Sequence, residues 1–552
     1  MIQLGISAFY HDSAACIVRE GKVVSACQEE RWSKIKHDAS FPHKSINWVL
    51  TQSGITIDQV DEICWYENPE LKKDRVLKTF AKRWWKTYFL KRKFLKEFEE
   101  NNPEKILREC YKYTGKIKYI NHHHSHAAFS YFTSNYDEAT VVSIDGVGEW
   151  STASIYKGQG EGLREVMTID FPNSLGLLYS TITAYLGFKP NEGEYKVMGL
   201  APYGDPDIYF DRLYSVFNNT SNKFFIDQKY FTWEYSNKVM FNKKLFRLLK
   251  VLPRLPEEKI TQEHKDLAAA LQKVYERVFL RLVNRAQRMT QTKNLCLGGG
   301  CAYNGVANNY AYKYYNSIHI PYAPSDAGSA IRACLASYRG ERKDNTSPFL
   351  GPSFSNDQIR TILYSFRDKL KFVELTETKL KKAVATEILL KKVVGWFRGK
   401  MEFGDRALGN RSILATAFDP DMRDRLNNVV KKRESFRPFA PVVLAEHAEK
   451  NFYVREDIPY MSQVVPSIAK TFPAATHIDG TARVQTLRKE FNPSLYNLIQ
   501  EIFNQSGRPV VLNTSFNLKD ETIVMTPVDA ISTFLRCDMD CLVLENFLVT
   551  KI

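Results

Sequence analysis

The chain opens with an apolar run, Ile2 to Ile6, which breaks into a polar loop holding His11, Asp12 and Ser13. It resumes as Ala14 to Val18, turns at Glu20-Gly21 and continues as Val23 to Cys27. Short apolar, β-branched runs punctuated by Gly and small polar residues predict strand, loop and hairpin. The same grammar returns about 140 residues later. Ala139 to Ile144 ends in Asp145-Gly146-Val147-Gly148, Ser151 to Tyr156 follows, and Leu163 to Ile169 closes the set, so the pattern predicts an internal duplication. The period then lengthens. Leu267, Leu271, Val274, Val278 and Leu282 share one face of a helix over 265–289, and LCLGGGCAYNGVANN reads as strand, glycine loop and helix start. A charged, then Ser/Pro/Gly-rich segment at 339–353 marks a domain boundary. The reading places one domain at 1–345 and an α/β domain at 354–552. The second has helical stretches Ser355 to Phe372 and Lys379 to Leu390, a buried strand Val393 to Phe397, and a β-rich end from Cys541 to Val549.

Composition narrows the class. Across 552 residues, 44% hydrophobic and 13% aromatic content excludes low-complexity, collagen-like and wholly disordered chains. No apolar run approaches the ~18 residues of a membrane span, and the amino terminus lacks a basic flank and a small-residue cleavage site, so a cytoplasmic protein is expected. The nine cysteines show no CxxC or zinc-finger spacing and read as reduced, mostly buried thiols. The net charge of +15 is concentrated. Lys72 to Lys96 holds eleven Lys or Arg and one acid, Asp74, in a basic helical insertion at about 70–100. Trp84, Trp85, Tyr88 and Phe89 interleave with those charges and could stack on bases or meet an anionic sugar or lipid headgroup. The ordinary arrangement of such a helix packs its aromatics inward.

Candidate chemistry concentrates at three places. In Asn121-His122-His123-His124-Ser125-His126, a helix would set His122 and His126 one turn apart on one face, where two imidazoles can share a metal. Asp326, in Pro324-Ser325-Asp326-Ala327-Gly328, is the candidate third ligand, and two histidines with one carboxylate suit Fe(II), with Zn or Mn as alternatives. A surface or capping histidine cluster is the plainer alternative. Asp12 and Asp145-Gly146 sit after strands, where they are either phosphate-handling or turn residues. Gly298-Gly299-Gly300 permits close ligand approach or simply a tight turn. The third place is the second domain. Lys400, Arg406, Arg411, Lys431, Arg433 and Arg437 alternate with apolar residues, and partly buried cations require anions, either phosphates or acids such as Glu402, Asp405 and Glu434. Asn513-Thr514-Ser515-Phe516-Asn517 adds a polar loop after a strand ending at Leu512.

Duplicated hairpin lobes with Asp-bearing loops and a late glycine loop form the pattern of actin-like (ASKHA) ATPases. The motifs HDSAA, HHHSHAA, SIDGVGEW, GEYKVMGLAPYG, GGGCAYNGVANN, SDAGSA, MEFGDRALGNRSIL, RESFRPFAP and VLNTSFN span the chain. On them the sequence resembles the bacterial O-carbamoyltransferases of nodulation-factor and antibiotic biosynthesis. The resemblance implies a duplicated actin-like domain followed by a YrdC-like α/β domain. It implies that carbamoyl phosphate and ATP form carbamoyl-adenylate in the second domain, with Mg²⁺, and that a hydroxyl of a small natural product or sugar accepts the carbamoyl group in the first. By matching motif, His122, His126 and Asp326 resemble metal ligands and Asp12 the residue that orients or deprotonates the acceptor. Lys196, Gly299 and Asn304 would contact the nucleotide part. Arg406, Arg411, Lys431 and Arg437 would hold phosphates, with Ser515 and Asn517 beside them. Asp405 stands where the family usually has Pro, and Asp520 and Thr522 where it has Gly and Pro.

The rival readings are a threonylcarbamoyl-type tRNA-modifying enzyme, which the basic stretch would serve, and a non-catalytic actin-like nucleotide-binding protein. Nucleic acid is not the expected partner. The identity of the acceptor and the oligomeric state, a homo-oligomer included, are not spelled in the sequence.

Overall fold

The structure is a computed structural model that describes every residue except 83, 219–222, 237–238, 432, 435, 438, 469–471 and the side chain at 429. Arg83 of the basic stretch therefore lies outside the described residues. The chain divides into two compact units, Met1–Val24 with Ile46–Thr346, and Ser25–Ser45 with Ser347–Ile552. The linear division at 1–345 and 354–552 is thus corrected for residues 25–45. Ala26 N donates to Leu350 O at 3.1 Å, the buried Arg31 donates to Gln28 Oε1 at 2.8 Å and to Gly404 O at 2.9 Å, and Lys34 pairs with Asp529 at 2.6 Å. Most of these partners lie hundreds of residues away, beyond the reach of local periodicity.

In the first unit, strands β1 (Ile2–Ser7), β2 (Ala14–Arg19), β3 (Lys22–Gln28, whose residues 22–24 belong to this unit), β4 (Glu62–Trp65) and β5 (Lys116–Tyr119) form one sheet in the order β3-β2-β1-β4-β5. Strands β6 (Glu138–Ile144), β7 (Ser151–Gln159), β8 (Gly162–Asp170), β9 (Asn294–Gly298) and β10 (Ser317–His319) form a second in the order β8-β7-β6-β9-β10. In each, the first strand runs antiparallel to the hairpin partner beside it and parallel to the fourth, which is parallel to the fifth. The two sheets repeat one topology, as the recurring sequence pattern predicts. The loops bearing Asp12, Asp145 and Gly299 all leave the carboxyl ends of strands β1, β6 and β9, the end at which parallel α/β sheets build sites.

Five helices frame the candidate sites: α1 (Pro69–Ala81), α2 (Trp84–Glu100), α3 (His122–Phe132), α4 (Gln262–Thr290) and α5 (Ser329–Ser337). Ala127 and Tyr131 of α3 pack on Ala139, Val141, Tyr156 and Cys296 of the second sheet. α4 buries Leu267, Leu271, Val274, Val278 and Leu282 on the face its periodicity predicts. α2 departs from expectation. Its aromatics do not turn inward: Trp84 is 69% exposed, Trp85 64%, Tyr88 60% and Phe89 81%. Among the described residues no helix is long and apolar enough to cross a membrane.

The second unit is a mixed eight-stranded sheet in the spatial order Leu370–Glu374, Phe547–Lys551, Cys541–Leu544, Val394–Phe397, Arg411–Thr416, Val510–Ser515, Ala440–Leu444 and Gln485–Leu487. Phe397, Ile413, Val443, Leu512, Phe534 and Leu542 are among its core residues. The helix expected over 355–372 stops at Tyr364, because Leu370–Glu374 pairs antiparallel with Phe547–Lys551 at the end of the chain.

Candidate metal centre

Helix α3 begins at His122, and its leading N–H groups have no partner inside the helix. Glu149 supplies one: its carboxylate accepts from His122 N at 2.9 and 3.0 Å and from Asn68 N at 2.7 Å. One turn apart, His122 and His126 bring their Nε2 atoms to 3.2 Å. The other two histidines of the tract do different work. His123 Nδ1 lies 2.8 Å from Ser154 Oγ in the core, where burial holds it well below the usual histidine range, and His124 lies against Tyr156.

Two carboxylates meet the imidazole pair. Asp326 Oδ1 lies 3.4 Å from each Nε2, and Asp145 Oδ2 lies 3.3 Å from His122 Nε2 and 3.0 Å from His126 Nε2. One donor atom from each of the four residues falls within 4.8 Å of every other. Donors bound at about 2.1 Å to one ion in tetrahedral or octahedral geometry stand about 3.0–3.4 Å apart. The imidazole–imidazole distance and the four imidazole–carboxylate distances fall in that range.

The charges agree. Burial opposes ionisation of Asp326, yet His122 and Arg332 beside it hold its carboxyl well below the usual range. Asp145 is opposed by burial and by Asp326, and its contacts with His122 and His126 bring it below that range too. Arg332, fully buried on α5, donates to Asp326 Oδ1 at 2.6 Å, and its Nη1 lies 2.6 Å from both ring nitrogens of His126. The buried Asp326 and the half-buried Asp145 against one guanidinium leave a negative excess that a cation would offset. Two imidazoles with two carboxylates fit a first-row divalent ion such as Fe(II), Mn or Zn.

Asp12 stands behind this cluster. Its Oδ2 lies 2.6 Å from His11 Nδ1, and His11 Nε2 lies 3.5 Å from Asp326 Oδ2. Burial disfavours the His11 cation, but Asp12, then Asp326 and Asp145, outweigh it and raise the imidazole to about 9. Gly299 joins β9 to the site: its N–H donates to Pro324 O at 2.9 Å and to His126 Nδ1 at 3.2 Å. Its φ of 85° and ψ of 164° suit only glycine, and a Cβ there would lie 2.1 Å from Ile144 O. Asn304 caps a helix through Ala307 N and exchanges two 3.0 Å bonds with Gln272, so its side chain is committed within the fold. Lys196 is half-buried, with its ammonium 5.7 Å from the Phe188 ring centre.

In the second unit, Lys431, Ser515 and Asn517 come together. The buried Lys431 ammonium donates to Ser515 O at 2.6 Å, Asn517 Oδ1 at 2.6 Å and Asn517 O at 2.8 Å. Burial, followed by the charges of Arg433, Arg437 and Lys36, drives its pKa well down. Arg437 is half-buried, 3.4 Å from Glu434, and Arg406 is half-buried on the loop before Arg411–Thr416. Arg411 leaves the phosphate set. Its guanidinium is fully buried, donates to the carbonyls of Arg398, Asn410 and Pro352, and lies over Phe397 at 3.6 Å, which makes it a brace between loops.

Comparison with known proteins bears on both units. A family model described as the carbamoyltransferase N-terminus matches residues 2–335, and one described as the carbamoyltransferase C-terminus matches residues 385–551. The chain belongs to the carbamoyltransferase family. An uncharacterized Synechocystis protein is 40% identical over 596 residues, covering 99% of this chain and 96% of its own. The nodulation protein NolNO of Sinorhizobium fredii is 33% identical, covering 99% of this chain and 80% of its own. The 3'-hydroxymethylcephem-O-carbamoyltransferase of Amycolatopsis lactamdurans is 34% identical over 47% of this chain and 49% of its own.

For this carbamoyltransferase, motif reasoning names His122, His126 and Asp326, leaves Asp145 as either a phosphate-handling or a turn residue, and gives no role to His11, Glu149 and Arg332. A signal for Asp145 exists: the duplicated pattern puts its loop at the same strand end as Asp12. Arg332 has none, being one more residue of a buried helix.

Proposed function

We propose that this carbamoyltransferase is ATP-dependent, converting carbamoyl phosphate to carbamoyl-adenylate in its second unit and passing the carbamoyl group to a hydroxyl of a small natural product or sugar in its first. The observation that carries the reading is the four-donor cluster with the Asp12–His11 pair next to it. A divalent cation held by His122, His126, Asp145 and Asp326 would supply Lewis-acid polarisation of the carbamoyl carbonyl. Asp12, fixed by His11, takes the proton of the acceptor hydroxyl, and Arg332 keeps Asp326 ionised and His126 in place. The repeated sheet topology supports an actin-like first unit, with Gly299 shaping the loop and Lys196 near the nucleotide.

The second unit serves the adenylation step in this reading, as a YrdC-like domain. Arg433 and Arg437 stand close enough to Lys431 to disfavour its cation, and an anion arriving there would favour it. Carbamoyl phosphate and the phosphates of ATP with Mg²⁺ are such anions, and Arg406, Ser515 and Asn517 complete the set. The named activity of the cephem relatives, transfer to an oxygen, supports a hydroxyl acceptor.

The test is to incubate metal-loaded full-length protein with carbamoyl phosphate, ATP and a panel of hydroxylated acceptors. AMP, pyrophosphate, phosphate and an O-carbamoylated product are expected, and Asp12→Asn should retain pyrophosphate release while losing the O-carbamoylated product and the AMP that leaves with its formation. Formation of ADP in place of AMP, or no nucleotide turnover by a folded, metal-loaded sample, would overturn the reading.

A further inference from the structure

We propose that the α1–α2 hairpin is a docking element for an anionic lipid bilayer, on which the carbamoyltransferase lies with the first two turns of α2 in the headgroup region. At 100° per residue, Trp84, Tyr88, Trp85 and Phe89 fall within an arc of about 140° on α2. All four are at least 60% exposed. The opposite side is already used: Thr87 is buried, Leu90, Phe94 and Phe98 are half-buried, and Lys73 of α1 covers the Phe98 ring at 4.8 Å. The apolar residues of α2 therefore run round about 260° of the helix, and the fold covers only part of that stripe.

Charge selects the occupant. Lys86, Lys91, Arg92, Lys93 and Lys96 are exposed around the aromatic arc, and Lys72 to Lys96 holds ten of the chain's fifteen net positive charges. A helix with Trp, Tyr and Phe on one side and lysines flanking them is built for the boundary between acyl chains and anionic headgroups. A second copy seated on this face would bring two such charge concentrations together. Single-stranded nucleic acid asks for flat stacking platforms, whereas Trp84 and Trp85 meet at 87° and Tyr88 and Phe89 at 83°.

Full-length protein should float with phosphatidylcholine vesicles containing about 30% phosphatidylglycerol at least about tenfold more strongly than with phosphatidylcholine alone, and raising NaCl from about 0.1 to 0.5 M should remove most of that preference. Trp84→Ser/Trp85→Ser/Tyr88→Ser/Phe89→Ser should weaken flotation at least about tenfold with an unchanged melting temperature, and Lys91→Glu/Arg92→Glu/Lys93→Glu should abolish the anionic preference. Equal binding to both vesicle types, or none to either, would overturn the proposal. So would a wild-type dimer that the aromatic variant makes monomeric, or single-stranded RNA that binds wild type alone and displaces it from vesicles.

Discussion

Asp145→Asn separates the four-donor reading from the anion-loop reading of the same residue. Asp145 Oδ1 accepts from Gly146 N at 2.7 Å, so only Oδ2 faces His122 and His126. An asparagine keeps its shape and would retain the Gly146 bond with its carbonyl oxygen, which turns its NH2 group toward the imidazoles. The substitution thus removes one of two negative charges and replaces an acceptor by a donor while leaving the loop intact. Losing a group that merely supports a ligand costs about 10- to 100-fold in metal affinity. Loss of a donor should sit at or beyond the upper figure, about 2.7 kcal/mol at about 1.36 kcal/mol per decade. Competition titration against a chromophoric chelator, run on wild type, Asp145→Asn and Asp326→Asn at one pH, measures this directly. If Asp145→Asn stays within about threefold of wild type while Asp326→Asn loses its metal, Asp145 is no ligand and the loop belongs to the nucleotide.

Three further outcomes rest on contacts inside the two units. Gly299→Ala must place a Cβ against the Ile144 carbonyl in backbone space that costs of order 1–3 kcal/mol for other residues, so unfolding in urea should shift by at least about 2 kcal/mol and metal affinity should fall with it; unchanged unfolding refutes the strain argument. Lys431→Met leaves Ser515 O, Asn517 O and Asn517 Oδ1 without their buried donor and should lower stability by about 2 kcal/mol while abolishing AMP formation, and retention of both would show that the cluster does not depend on the ammonium. Glu62 is held down to about 2 in the fold, because the Ser337 hydroxyl, Lys116 and Gln3 outweigh its burial. A carboxyl depressed by folding stabilises fully above its ordinary value of 4.5 and ceases to as pH falls toward 2. The stability gap between wild type and Glu62→Gln should narrow across that interval, and a constant gap would refute the assignment.

What can be read from the sequence is what repeats locally. The duplicated strands, the α4 face and the pair His122/His126 depend on spacings of two to four residues, and each appears where its spacing puts it. Asp145, Arg332 and His11 join the site through sheet order, which no local period encodes. Arg411 shows the converse failure. An arginine among apolar residues reads the same whether its anion is a phosphate or a ring of backbone carbonyls, and here carbonyls take it. Asp520 is a finer case. It stands where the resembled family usually has glycine, and its φ of 63° is left-handed backbone, adopted here by one of the few side chains that tolerate it.

The α2 stretch fails for a different reason. Burying aromatics is the default because a helix in a globular protein has one apolar stripe and one neighbour to cover it. Here apolar side chains run round about 260° of the helix, from Leu90 through Phe94 and Phe98 to Trp84, Tyr88, Trp85 and Phe89, and only the Leu90–Phe94–Phe98 part is half-covered by the fold. Counting residue types cannot give the width of a stripe, and only the helical angle does. Once that angle is applied, the sequence already contains a surplus apolar face among lysines, and the open question moves from which way the aromatics turn to what meets them.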